Sequence, residues 1–166
     1  MKKVVLNIFI IIYFIITVLV TVSLLSYNDF NVSTINNHSL VTKKNGSDLK
    51  ISNSDLLIID NTIDVKEGDD IYYYDTYVSP IDIKIGKVKE VENINENEKT
   101  ITMDNGSIIS SEYVIGKENA SKEYAVVGAI YNVLTSRWGY LFIIILPMLM
   151  AFVYEIYEII REIKRG

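Results

Sequence analysis

The chain has 166 residues, of which 49% are hydrophobic and 22% are charged, and its formal net charge is −5 at pH 7. It contains no cysteine, which excludes disulfides, thiolate nucleophiles and cysteine metal ligands. Residues 28–137 hold 18 acidic and 11 basic residues, and this acidic balance argues against a nucleic-acid partner.

The first long apolar segment covers residues 4–25, VVLNIFIIIYFIITVLVTVSLL, and carries no charge. At about 1.5 Å per residue, a helix of this length crosses a hydrocarbon core of about 30 Å. A cleavable signal peptide would have a shorter apolar region followed by small residues, which SYNDF does not resemble. We therefore expect an uncleaved transmembrane helix, preceded by a cytoplasmic N-terminus of residues 1–3.

A second apolar segment, WGYLFIIILPMLMAFVY, covers residues 138–154 and is interrupted by Pro147. Membrane helices tolerate proline, and the aromatic residues at both ends are typical of membrane interfaces. Basic residues precede the first segment and follow the second, so both termini are predicted to be cytoplasmic. Residues 155–166 are expected to form a charged cytoplasmic helical tail that extends the second span. The predicted location is the cell membrane, with the middle of the chain outside.

Between the spans, residues 26–46 are rich in Asn, Ser and Thr and are predicted to be an irregular linker. Residues 47–137 are expected to form one β-rich domain. Strands are predicted at residues 56–59, 71–78 and 81–91, followed by an acidic hairpin, ENINENEK, the strand KTITM, an Asp-Asn-Gly turn and the strand SIISSEYVIGK. The predicted fold class is a mostly β, antiparallel extracytoplasmic domain flanked by two transmembrane α-helices.

Alternation along the strands predicts which side chains share a face. Ile83, Ile85 and Lys87 fall on one face together with Ile81. In the run of tyrosines at 72–74, the middle side chain is expected to point away from the other two.

Three motifs appear in an order that resembles a known family: VKEGDDI at 65–71, EYVIGK at 112–117, and a Trp-Gly through Leu-Pro to Tyr-Glu-Ile at 138–156. Together they resemble a type I signal peptidase of the endoplasmic-reticulum-like branch, the SipW type. The resemblance covers roughly residues 45–157. It implies a signal-peptidase-like β-domain on the outer membrane face, where the family cleaves signal peptides from secreted proteins.

The resemblance also implies candidate catalytic residues. The family uses a serine nucleophile activated by a histidine, or by a neutral lysine in its other branch. Ser47 stands in the nucleophile region, but NGSDLKI lacks the family's methionine and proline. Where the family has Thr-His-Arg-Val, this chain reads Ile-Gly-Lys-Val at 85–88, so a glycine replaces the histidine.

Lys84 and Lys87 are the remaining candidates for the base, and Lys87 is favoured because it lies on the isoleucine-rich face. A lysine base requires burial that lowers its pKa from about 10.4. The competing interpretation is a turn serine with solvated lysines. The only histidine, His38, lies upstream without companion ligands, so neither a metal site nor a cofactor is predicted.

Three functions remain open at this level. The first is a signal-peptidase-like membrane protein whose active site is degenerate but whose fold still binds peptides or a partner. The second is an active signal peptidase with a Ser-Lys dyad, and the third is a non-enzymatic membrane-anchored β-domain with a structural or interaction role. The expected partners are the lipid bilayer and signal peptides or secretory preproteins.

Overall fold

A computed structural model describes residues 2–62, 64–94 and 98–164. The helices are α1 (Lys2–Leu25), α2 (Val127–Leu134), α3 (Arg137–Gly139) and α4 (Leu146–Ile163), with a 3₁₀ turn at Ser111–Tyr113 and a π-helical segment at Tyr140–Ile145. The strands are β1 (Ser33–Ile35), β2 (His38–Thr42), β3 (Leu56–Asn61), β4 (Asp70–Asp75), β5 (Asp82–Asn93), β6 (Lys99–Met103), β7 (Ile108–Ser110) and β8 (Val114–Tyr124). The chain divides into two compact units, one of Met1–Thr21 with Tyr131–Gly166 and one of Val22–Ile130.

The first unit contains most of the apolar helical segment Asn7–Leu25 and all of the segment Arg137–Ile163, and each segment is long and apolar enough to cross a membrane. Only 17% and 6% of their most apolar windows are buried within the protein, so a protein core does not explain their apolar composition. The second segment is helical through Ile163, so the predicted tail continues the helix, as expected. Arg165 and Gly166, the last residues of that predicted tail, lie outside the described residues.

Side-chain hydroxyls link the two apolar segments. Pro147 has no N–H, and the segment before it, Tyr140–Ile145, is π-helical, with the Leu146 N–H donating to the Leu141 carbonyl five residues back. The Tyr13 hydroxyl lies 3.2 Å from the carbonyl oxygen of Ile143 and 2.7 Å from the carbonyl oxygen of Ile144. Nearer the other end of α1, the hydroxyls of Thr21 and Tyr140 are 3.0 Å apart. The Tyr13 and Tyr140 hydroxyls therefore connect the two apolar helical segments at two levels.

The second unit is an eight-stranded sheet with the strand order β1-β2-β3-β8-β4-β5-β6-β7, in which every neighbouring pair is antiparallel. The last strand in sequence, β8, lies between β3 and β4. It reaches both neighbours because it is 11 residues long and its pairing shifts register at an irregularity. The predicted antiparallel β-domain is confirmed.

The sheet buries side chains in two hydrophobic clusters. The first core contains Val32, Val41, Leu49, Leu57, Ile59, Tyr72, Tyr74, Ile83 and Ile115. The second core contains Val65, Ile71, Tyr73, Val88, Ile101, Met103, Ile109 and Val114. Consecutive tyrosines of β4 thus enter different cores, as period-two alternation requires. The prediction that Tyr73 points away from Tyr72 and Tyr74 is confirmed.

The prediction of an irregular linker over residues 26–46 is wrong. Strands β1 and β2 form a hairpin there, and Val32 and Val41 are 1% and 0% exposed. The two residues between the strands, Asn36 and Asn37, have φ values of +47° and +66°, which a two-residue hairpin turn of the primed type requires. Asparagine is among the residues that tolerate this conformation, so the Asn-Asn pair was a turn signal within a polar composition.

Several element boundaries also differ from the sequence prediction. Strand β4 ends at Asp75, before a turn that contains the cis peptide bond Ser79–Pro80. The single strand predicted at 107–117 is divided into β7, the 3₁₀ turn and β8. Helix α2 was not predicted. Residues 95–97 of the predicted acidic hairpin lie outside the described residues, but its flanking strands pair as expected, with Asn93 opposite Lys99.

Candidate functional site

The turn that carries Ser47 is fixed by its own hydrogen bonds and by β5. The Asn45 side-chain oxygen accepts the Thr42 N–H at 2.9 Å, and the Asn45 N–H donates to the Thr42 carbonyl at 2.9 Å. The Asn45 carbonyl oxygen then accepts the Ile83 N–H at 2.8 Å. The turn therefore occupies the position beside β5 where a neighbouring strand would otherwise pair.

Gly46 has a structural role in this docking. A Cβ atom at Gly46 would lie 2.3 Å from the Ile83 carbonyl oxygen and 2.6 Å from the Leu49 side chain. Such contacts are shorter than packed atoms allow, so only glycine lets the turn approach the strand so closely. The Gly-Ser pair thus has an explanation in packing that requires no catalysis.

Ser47 is exposed and bound to an aspartate at the start of β5. Its N–H donates to Asp82 Oδ1 at 2.9 Å and its Oγ donates to Asp82 Oδ2 at 2.7 Å. Within the described part of the chain, no lysine nitrogen or histidine is a hydrogen-bond partner of this hydroxyl. The two bonds join the turn to β5, and they direct the hydroxyl proton towards a carboxylate instead of a neutral nitrogen base.

Lys84 lies in the same groove as Ser47 but is paired with a different carboxylate. The groove has a volume of about 480 Å³ and is lined by Lys43, Lys44, Ser47, Asp48, Val78, Pro80, Ile81, Asp82 and Lys84. Lys84 Nζ lies 2.6 Å from Asp75 Oδ2. The hydrogen bond to Asp75 raises the pKa of Lys84, outweighing the opposite effect of burial. A lysine that acts as a general base needs the opposite shift.

Lys87 lies outside that groove. It is opposite Asp70 in the β4–β5 pair, its side chain is exposed, and its carbonyl oxygen accepts the Asp104 N–H at 2.9 Å. Its alternation with Ile83 and Ile85 is as predicted, yet the first core ends before it. The desolvation that the lysine-base hypothesis requires is therefore absent at this side chain. Ile81, predicted to share this face, is 39% exposed.

His38 and the acidic turn after Val65 have local structural partners. His38 Nδ1 lies 2.6 Å from Asp60 Oδ1 across the β2–β3 pair. Asp69 accepts from Lys117 Nζ at 2.9 Å and from the Lys66 N–H at 2.9 Å, and the hydrogen bond from Lys117 is the main reason why the pKa of Asp69 is lowered. Among residues 2–62, 64–94 and 98–164, no group of three or more potential ligands is arranged to hold a metal ion.

An unpaired stretch of strand edge lies at Ile85, and the sequence reasoning missed it. The Ile83 N–H points away from β4 towards Asn45, and the Lys87 carbonyl points the same way towards Asp104. In an antiparallel pair, backbone groups two residues apart face the same side, so the N–H and C=O of Ile85 also point away from β4. No described residue pairs with them. The gap depends on strand register, so no local sequence pattern indicates it.

A second hollow lies beside this edge on the side of the first core. Its volume is about 240 Å³, and it is lined by Leu49, Lys50, Ile51, Leu57, Tyr72, Ile85, Glu118, Ser121 and Glu123. The floor is apolar and the rim carries two carboxylates and one lysine. Burial is the main reason why the pKa of Tyr72 is raised, and the nearby Glu118 raises it further. Ile85 therefore lines this hollow, while its neighbour Lys84 lines the groove that contains Ser47.

No family model, curated protein or solved structure matches this chain. The resemblance to signal peptidases therefore rests on the sequence motifs alone. The antiparallel sheet and the two apolar helical segments agree with the predicted fold class, a mostly β domain with two apolar helices.

Proposed function

We propose that this chain is a membrane-anchored, signal-peptidase-like protein whose extracytoplasmic β-domain binds extended peptides, such as the signal-peptide regions of secretory preproteins, without cleaving them. The observation that carries the proposal is the open strand edge at Ile85. An extended peptide can add to such an edge through main-chain hydrogen bonds, while alternate side chains enter pockets on either side. Here the Ser47 groove and the Tyr72 hollow would receive them.

The non-cleaving part of the proposal rests on the partners of the two candidate catalytic groups. Serine is a weak nucleophile until a base within hydrogen-bond reach removes its proton. The Ser47 hydroxyl donates to Asp82, and Lys84 is held in its charged form by Asp75. Neither side chain is in the state that a Ser-Lys dyad requires.

An active peptidase is the second candidate, and one observation favours it. Ser47 and Lys84 line the same groove, beside the edge at which a substrate would bind. If a bound peptide displaced Asp75 from Lys84 and excluded water, the pKa of that lysine would fall and the dyad would assemble. The two candidates share the binding edge and differ in whether the bound peptide is cleaved.

The binding test uses the purified full-length protein in detergent and a fluorescent peptide that ends in a small-residue Ala-x-Ala sequence. Ile85→Pro removes the outward N–H and leaves the β4 ladder in place, because the Ile85 N–H does not face β4. We expect this variant to lose binding, measured by fluorescence anisotropy. Ile85→Val keeps the donor and serves as the matched control. If thermal unfolding shows that both variants are folded and they bind the peptide with equal affinity, edge binding is refuted.

The cleavage test uses a preprotein with an Ala-x-Ala site, analysed by gel and mass spectrometry. We expect no product from the wild-type protein, and none from Ser47→Ala, Lys84→Ala or Lys87→Ala. Cleavage by the wild type that Ser47→Ala and Lys84→Ala both abolish would replace the non-cleaving proposal by the dyad. Lys87→Ala is the internal control, since Lys87 lies outside the groove.

A further inference from the structure

The corner between β8 and α2 exposes several large apolar side chains that are close together in the sequence. Tyr124, Val126, Val127 and Ile130 are 45%, 61%, 43% and 57% exposed, and all four belong to the unit that contains the sheet. We call these four residues the apolar corner. Single exposed apolar residues are common on proteins, but four within seven positions form a patch that calls for a partner.

The backbone of the apolar corner is strained at Val126. Val126 has a φ of +68°, in the left-handed region, where a β-branched residue is a clear outlier. Glycine or asparagine would adopt this conformation at lower cost. The exposed Val126 side chain does not offset this strain, because it buries little apolar area in the protein core. The side chain itself must therefore be useful outside the protein core.

The strained conformation is held by contacts on both sides. The Val126 N–H donates to Asp55 Oδ1 at 3.2 Å, and the Ala129 N–H donates to the Ser54 carbonyl at 2.9 Å. Gly128 packs directly on the backbone of Asp55, where an added Cβ would lie 2.1 Å from the carbonyl oxygen. The inner side of the corner is thus fixed to the turn before β3, and its apolar side chains are left facing outwards.

The position of the corner along the chain indicates what covers it. The second apolar helical segment begins at Arg137, seven residues after Ile130, and Trp138 at its start is of the residue type that membrane interfaces favour. Four of those intervening residues are helical in α2, with a rise of about 1.5 Å each, so the connection is short. The corner is therefore tethered by only six residues to the segment that would enter the bilayer.

We propose that the apolar corner inserts into the outer boundary between headgroups and acyl chains of the lipid bilayer, and so sets the height of the β-domain above the membrane. The proposal rests on the membrane anchoring within the proposed function. Aliphatic side chains on one side of a short surface helix bind this boundary in proportion to their buried apolar area. Lipid is favoured over a second protein copy because the tether brings the corner to the membrane in every single chain.

The test exploits the absence of cysteine. The full-length chain with Val126→Cys, with Ile130→Cys, or with the control Ile108→Cys is labelled with an environment-sensitive fluorophore. Ile108 is 55% exposed on the edge strand β7, so it matches the corner in exposure. Each protein is reconstituted into vesicles of phosphatidylethanolamine and phosphatidylglycerol in equal parts. Quenching by doxyl-labelled lipid is then compared with quenching by aqueous iodide.

We expect the labels at 126 and 130 to be quenched several-fold more by doxyl lipid than by iodide, and the label at 108 to show the reverse. Iodide quenching of all three labels in protein that floats with the vesicles would overturn this inference and leave membrane anchoring intact. Protein that does not float would overturn both. If the corner is shielded from both quenchers, and this shielding disappears when the protein is diluted into excess lipid, the corner contacts a second copy of the chain. That result would overturn the lipid proposal.

Discussion

The turn at Ser47 and the apolar corner at Val126 are built by the same device. In each, an aspartate carboxylate accepts a backbone N–H, from Ser47 to Asp82 and from Val126 to Asp55. In each, a glycine packs against a backbone carbonyl oxygen so closely that a Cβ would lie 2.3 Å or 2.1 Å from it. Two segments of irregular backbone are thereby fixed to regular strands.

The two regions differ in what they expose. The first presents a hydroxyl and several charged groups to a groove that Val78, Pro80 and Ile81 also line, on a backbone with no left-handed residue. The second presents four apolar side chains, one on a left-handed valine. The shared device fixes the backbone, and the residues placed on it decide whether the exposed surface carries charged or apolar groups. Substitutions in the two regions can separate these two contributions.

The largest effects are expected from filling the two glycine positions. Gly46→Ala and Gly128→Ala should each lower the free energy of unfolding by about 1–3 kcal/mol, because the new methyl group overlaps backbone atoms that cannot rotate away. Thermal unfolding in detergent measures the loss. Gly86→Ala is the matched control, since its Cβ would meet the flexible end of Met103 at 2.7 Å and should be tolerated better. A Gly46→Ala protein as stable as the wild type would remove the packing explanation of the Gly-Ser pair.

The next effect concerns the carboxylate that holds Ser47. Asp82→Ala removes two hydrogen bonds and should lower the free energy of unfolding by about 1–2 kcal/mol. The loss should be smaller than for two buried hydrogen bonds to a charged group, because this site is exposed. Ser47→Ala removes only one of them and should cost less. Hydrogen exchange of the Ser47 amide should accelerate in Asp82→Ala and remain slow in Ser47→Ala. Equal exchange in the two variants would show that the carboxylate does not fix this turn.

A change in the opposite direction is expected at Val126. Val126→Asn relieves the left-handed strain and should stabilise the detergent-solubilised protein by about 1 kcal/mol. The same change removes an apolar side chain from the corner and should shift a label at Ile130→Cys towards iodide quenching in vesicles. Val126→Ala, which keeps most of the strain, separates the two effects. Destabilisation by asparagine would contradict the strain argument.

The smallest effect is a pH dependence at the apolar corner. A hydrogen bond to Asp55 raises the pKa of Glu123. The pKa of Asp55 is lowered, mainly by the hydrogen bond from the Ser54 hydroxyl and less by those from Val126, Glu123 and Ser52. Because its folded pKa is raised, Glu123 contributes stability at low pH, and this stability is lost as the pH rises through that folded pKa. Because its folded pKa is lowered, Asp55 contributes stability at higher pH, and this stability is lost as the pH falls through that folded pKa. The pair is therefore most favourable in the acidic range between the two.

Glu123→Gln tests this sign. The amide remains a neutral donor to Asp55, so the variant should lose the decline in stability that the wild type shows as pH rises from acidic to neutral. The change should be small, because Glu123 is exposed and solvent screens its charge. Thermal midpoints collected across that pH range for both proteins provide the measurement. A decline that persists unchanged in Glu123→Gln would assign it to other groups.

Local patterns in the sequence were enough to predict the apolar ends, the mostly antiparallel domain and the opposite directions of Tyr72 and Tyr73. They were not enough to place β8 between β3 and β4, since long-range pairing leaves no periodic signal within either strand. The same holds for the site. Ser47 and Lys84 line one groove, whereas Lys87, the lysine that the sequence favoured, lies outside it. The aspartate partners of Ser47 and Lys84 and the open edge at Ile85 depend on cross-strand register. The hairpin at 33–42 is different, because its Asn-Asn turn was visible and was outweighed by the polar composition around it.

The hydroxyl of Tyr13, which reaches the carbonyl groups next to Pro147, also bears on the unfolded state of the β-domain. While the two apolar helical segments remain paired, the sheet-forming chain between them is a closed loop even when it is unfolded. A covalent link that closes a loop of about 100 residues lowers the chain entropy of the unfolded state by the equivalent of about 4.7 kcal/mol. A non-covalent helix pair supplies at most that amount. In a chain without disulfides, the paired apolar helices would thus limit the disorder of the unfolded chain between them.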